Sequence, residues 1–159
     1  MKGNVDLVIF TLDESRFALQ LAAVERVVRV VEITPLPKAP HIVLGIINVR
    51  GGIIPVVNVR KRFRFPERET QLNDQIIIAR TSKRVVALLA DDVTGVMACP
   101  VERIVEAEKV VSGMAFVAGI VKIDEGMILV HDLDTFLSLD EENSLDDALR
   151  ESAGSMDKG

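Results

Sequence analysis

Apolar residues recur along the chain in short runs, at residues 5–12, 16–21, 27–33, 43–49, 53–59, 75–81, 84–89, 116–123 and 127–130. They are rich in Val and Ile and separated by turn signals such as Asp13-Glu14-Ser15, Arg50-Gly51-Gly52, Ser82-Lys83 and Asp124-Glu125-Gly126, which is the punctuation of β-hairpins. Many short strands at close spacing predict small barrels. Only residues 21–26, 60–65 and 132–139 read as helical, the last with Asp132 as a cap before Leu133, Phe136 and Leu137. Pro35, Pro37 and Pro40 break both ladder and helix, so residues 34–41 are expected to be a fixed extended connection.

The pattern repeats itself. Gly45 through Ile54 returns 74 residues later as Gly119 through Ile128, and the match continues with Val56 and Val130, Asn58 and Asp132, Val59 and Leu133. Upstream, Phe17 to Leu19 with Val24 and Val27 matches Val86 to Leu88 with Val93 and Val96 at an offset of 69. Order and polarity agree together, which favours two related lobes at residues 5–65 and 75–139 within one unit, 1–139, over a single sandwich. Such lobes share a seam, so residues 5–65 alone are not expected to fold. The repeats diverge at the hairpin tips, where the basic Arg50 of the first stands against Asp124-Glu125 of the second.

Composition narrows the field further. Val and Ile fill 37 of 159 positions, with six Phe and neither Trp nor Tyr, which suits sheet packing over a helical bundle. No apolar run approaches the ~18 residues of a membrane span, and no secretion signal is visible at the N-terminus. The single Cys99 excludes an internal disulfide and fits a reducing cytoplasm. The net charge of −5 lies wholly in residues 140–159, which hold seven acids and two bases, whereas the rest is balanced at 17 each. That segment lacks Val and Ile and reads as a disordered or weakly helical acidic tail; Leu139, Leu145 and Leu149, capped by Asn143 or Ser144, are the helical version of it.

Candidate chemistry is sparse. His41, His131 and Cys99 have no metal-ligand spacing, so neither a metal nor a cofactor is expected. His131 matches Val57 of the first repeat, which points to a strand-end residue. An enzyme would need a deep pocket holding Asp91, Asp92 or His131. Five bases between Arg60 and Arg68 interleave with Phe63 and Phe65, a combination that small nucleic-acid-binding barrels use, but Glu67, Glu69 and a pI near 5.1 weigh against it. A solvated connector, with the Phe pair closing the first barrel, accounts better for the run. Arg50 at its glycine turn and an outward-facing Val24 on the short helix are then left without a folding role, and together they suit a protein contact.

The residues now resemble a known family, the CheW-like chemotaxis coupling domains, over residues 7–139. The most specific part is Leu36-Pro37, the proline link, Gly45-Ile46-Ile47-Asn48-Val49-Arg50-Gly51 and then Pro55-Val56-Val57-Asn58-Val59. Val49 replaces the usual Leu and Asn58 the usual Asp, and Glu25-Arg26 departs from the family's order on the partner face. The resemblance implies two SH3-like five-stranded β-barrel lobes packed on each other, with short helices and a flexible acidic C-terminal tail. It further implies a non-enzymatic, cytoplasmic adaptor between chemoreceptor tips and the regulatory domain of a CheA-type histidine kinase, reaching the membrane only through receptors and binding no nucleic acid. Arg50, Val24, Gly45, Gly51 and Asn48 map onto the partner-binding positions. A coupling adaptor of a pilus or developmental array is the alternative within this class.

Overall fold

Short β-branched runs between tight turns give eleven strands in the computed structural model, which describes residues 3–106, 117–123 and 126–157. The first hairpin, β1 (Asn4–Leu12) with β2 (Ser15–Gln20), is followed by a 3-10 turn Leu21–Ala23 and then β3 (Val24–Arg29). A second hairpin, β4 (Val43–Val49) with β5 (Gly52–Val57), leads into the one-turn helix α1 (Val59–Arg62). The series then repeats as β6 (Gln75–Arg80), β7 (Val85–Ala90), β8 (Asp92–Pro100), a 3-10 turn Val101–Arg103, β9 (Ile104–Glu106), β10 (Val117–Ile123), β11 (Gly126–His131) and a 3-10 turn Leu133–Thr135. Helix α2 (Leu139–Asp157) is the last element among the described residues. Residue 116 and the acidic tip Asp124-Glu125 lie outside the described residues.

Register bears on the repeat directly. Gly45 pairs with Val56 and Val49 with Gly52, while Gly119 pairs with Val130 and Ile123 with Gly126, so both hairpins hold one register 74 residues apart and are irregular at the same place. Strand pairing does not, however, follow the contiguous division at 5–65 and 75–139. The six-stranded sheet runs β8-β1-β2-β11-β10-β9 and the five-stranded sheet β3-β6-β7-β5-β4. Each sheet therefore takes its leading hairpin from one half of the chain and the rest from the other. The crossings occur at the 3-10 turn Leu21–Ala23 and at Asp91, where the chain leaves one sheet for the other.

Two lobes of five strands each were expected, and one lobe has six. Strand β8 continues through the turn Val101–Arg103 into β9 at the opposite edge, so the sheet closes on itself. In the other lobe the equivalent closure is a single bridge between Thr34 and Ile46, because Pro35 follows at once and cannot donate to a ladder. Residues 21–26, read as a helix, are the 3-10 turn and the start of β3; alternation of Val24, Arg26 and Val28 toward the interior outweighs the helical spacing. Val24 consequently does not face outward but packs, half-buried, against the central core.

Each lobe has its own interior, built around Leu7, Ile9, Val121 and Val130 in one and Ile47, Val56, Ile76 and Ile78 in the other. Between them a larger seam joins Phe10, Phe17 and Leu19 to Ile77, Val86 and Leu88. The acidic tail is corrected here. Leu145 and Ala148 are buried in this seam, with Leu149 against it, so α2 is a docked helix. Its cap is Ser138, not Asn143 or Ser144: the Glu141 N–H donates to Ser138 Oγ at 3.1 Å and the Ser138 N–H to Glu141 Oε1 at 2.8 Å, a reciprocal capping box. Arg62 pairs with Glu141 at 2.6 Å, and Arg84 pairs with Glu142 at 2.8 Å and with Asp146.

Candidate functional site

Arg50 and Gly51 are the whole loop between β4 and β5, and both have positive φ, 51° and 82°. That is the type I′ turn matched to the twist of a hairpin, and it favours Asn, Asp or Gly at its first position. Gly51 meets this demand freely. Arg50 does not, and its side chain is exposed with no hydrogen bond or ion pair among the described residues. Asn48 steadies the turn, its Oδ1 accepting the Gly51 N–H at 2.9 Å.

Three of the five expected residues, Asn48, Arg50 and Gly51, thus meet at one exposed tip. Gly45 is buried further down β4, where a Cβ would come within 2.3 Å of the Thr34 carbonyl oxygen; its smallness lets the proline link seat against the strand. Val24 lies on β3 at the edge of the five-stranded sheet. Sequence reasoning missed Ile53, paired across the turn with Asn48 and 45% exposed. The repeat shows only that an apolar residue recurs there, and the matching Met127 is exposed in the structure as well.

The polar groups that an enzyme would use are committed elsewhere. Asp91 lines a 230 Å³ cavity with Asn58, Arg60, Arg68 and Asp74. Its carboxylate accepts from Arg60 at 2.8 Å, from Arg68 at 2.6 Å and from the Asp13 N–H at 2.6 Å. Burial alone would push the Asp91 carboxyl up, but these donors outweigh it and hold the group below the usual carboxylate range. Arg68 also grips the buried Asp74 at 2.7 Å. The run from Arg60 to Arg68 is therefore a clasp across the seam rather than a solvated connector. Phe63 and Phe65 pack on Phe17 with ring centres 5.0 and 5.8 Å away, closing the seam rather than the first barrel.

His131 stands between Phe63 and Phe136, at 5.2 and 5.0 Å, and neither ring nitrogen has a hydrogen-bond partner. Burial, aided by the charge of Arg62, pushes its pKa down to about 3, so it is a neutral core residue. Among the described residues no group of three or more His, Cys, Asp and Glu is arranged to hold a metal, and no helix is long and apolar enough to cross a membrane.

Known proteins agree with this picture. The CheW-like domain model matches residues 6–141. The Chemotaxis protein CheW of Rhizobium meliloti is 30% identical over 141 residues, covering 87% of this chain and 91% of its own. That of Thermotoga maritima is 34% identical over 137 residues, covering 83% and 87%. The crystal structure of the scaffolding protein TtCheW from Thermoanaerobacter tengcongensis superposes with a TM-score of 0.78 at 33% identity, over 89% of this chain and 91% of that one. With the fold and these relatives in accord, the chain belongs to the CheW-like family, the non-enzymatic adaptors that couple chemotaxis receptors to the CheA kinase.

Proposed function

We propose that the β4–β5 tip is a contact through which this adaptor joins the cytoplasmic tip of a chemoreceptor to the regulatory domain of a CheA-type kinase, in the cytoplasm at membrane-anchored receptor arrays. The observation that carries this reading is Arg50 itself: a long cation held at φ 51°, where folding favours a small residue, and left unpaired among the described residues. Its planar five-donor group suits a carboxylate or a set of backbone carbonyls, and Ile53 beside it supplies apolar contact. Asn48 and Gly51 serve by fixing the turn and Gly45 by shaping the strand behind it, while Val24 shapes the other edge strand, β3.

The competing account has Arg50 bracing the proline link of its own lobe. It makes no hydrogen bond to that link. The test is Arg50→Glu, expected to keep stability within about 0.5 kcal/mol, as an exposed substitution should, while receptor-dependent kinase activation and pull-down of receptor and kinase domain are lost. A large fall in melting temperature would make Arg50 structural, and unchanged binding would remove it from the contact.

A further inference from the structure

Every ladder between strands that are neighbours in sequence, β1–β2, β4–β5, β6–β7, β9–β10 and β10–β11, stays within one half of the chain. Every ladder between non-neighbours, β1–β8, β2–β11, β3–β6 and β5–β7, joins the two halves. These joining ladders are equivalent in pairs. Val93 faces Phe10 as Val24 faces Ala79, and Val130 faces Ala18 as Val56 faces Ala87, each under the same offsets of 69 and 74. The halves are thus intertwined like two protomers and tied by a single strap, residues 66–74. Leu72 on this strap is 93% exposed, while Arg68 joins the strap's two ends through Asp74 and ties them to Asp91 outside it.

We propose that the surface each half presents to the other is also an interaction surface for a second copy of this chain, giving a reciprocally exchanged dimer. In it the first half of one chain completes both sheets with the second half of another. All of the joining ladders and the seam are preserved, and only the path of the strap changes. The strap favours the monomer through effective concentration, which is in the mM range for short flexible links. Exchange therefore competes when chains fold or refold at comparable concentration, and shortening the strap tips the balance toward it.

The test uses the full chain with a protease site inserted between Gln71 and Leu72, at the exposed point of the strap. Cleavage of the folded monomer is expected to leave one particle of unchanged mass that separates into halves only in denaturant. Refolding the unmodified chain on the order of 1 mM is expected to yield a dimer fraction by light scattering, and deleting residues 69–72 is expected to raise it. Cleaving the strap of such a dimer, formed by the site-bearing chain, should release monomer-sized particles, because the straps are its only cross-links. Halves that separate in native buffer, refolding that returns monomer alone, or a dimer that survives cleavage would each overturn the proposal. The last result would identify a surface-to-surface dimer instead.

Discussion

The residues that follow the two matched hairpins solve one problem with opposite charges. After β5, Asn58 caps α1 by accepting the Lys61 N–H at 3.0 Å; after β11, Asp132 accepts the Asp134 N–H at 3.1 Å. Two positions beyond each cap the chain ties back to the turn of its own first hairpin. Arg60 reaches Asp13 at 3.0 Å, and Asp134 accepts the Ser82 N–H at 2.7 Å. From there the halves part. The first continues through the basic run Arg60 to Arg64, and the second into the acidic helix α2, which returns to meet Arg62 and Arg84. The duplicated scaffold thus leaves its exits free to diverge, and opposite signs at the exits hold the halves together.

Removing one exit altogether should have the largest effect. Truncation after Ser138 uncovers Leu133, Phe136 and Leu137, and no cooperative thermal transition is expected by calorimetry. Leu145→Ala, a milder version, should cost about 2–5 kcal/mol in denaturant unfolding, whereas a variant that melts like the parent would return α2 to the status of a loose tail.

The Asp91 carboxylate that backs the first tie and the Asp134 carboxylate that makes the second should respond unequally to removal. Asp91→Ala leaves Arg60 and Arg68 facing each other in a partly buried site, at a cost of about 2–4 kcal/mol. Asp134→Ala removes one exposed hydrogen bond and should cost about 1 kcal/mol or less. Urea midpoints of the two variants check the ordering.

Where Val57 stands in one half, His131 stands in the other, and this difference should be visible in pH. The His131 pKa is about 3 when folded against 6.5 ordinarily, so the unfolded chain binds the extra proton between those values. Stability is then fully present above pH 6.5 and falls by up to about 1.4 kcal/mol per pH unit as the medium is acidified toward 3. His131→Val should flatten the profile between pH 6.5 and 4.5, before the Asp and Glu side chains respond. An unflattened profile would shift the acid sensitivity to other groups.

The smallest effect concerns the tip. Arg50→Asn suits the positive φ better and should raise stability by a few tenths of a kcal/mol, while partner binding falls; binding that is retained would relieve Arg50 of its proposed role.

Much of this molecule was legible because hairpins are local. The offset of 74, the Arg50-Gly51 turn and the cap at Asp132 all follow from a few adjacent residues. The helix at the C-terminus was not read as docked: its cap at Ser138 with Glu141 was passed over for Asn143 or Ser144, and the acidic run that follows reads as solvated unless Arg62 and Arg84 are known to face it. Val24 was misread because three apolar residues over one turn satisfy both periods at once. The exchange of strands was not legible at all: nothing in the pattern of β1 says whether β8 or a strand of its own half will pair with it.

That exchange also sets a schedule for synthesis. Leu7 waits for Met97, and Val28 for Ile76, so the first half leaves the ribosome as hairpins with no sheet to join. At about 5–20 residues per second, about 4–16 s pass between the end of β1 and the start of β8. During that interval the apolar faces of β1 to β5 have only each other or a chaperone to cover them, and codon choice around the strap would govern how long that exposure lasts.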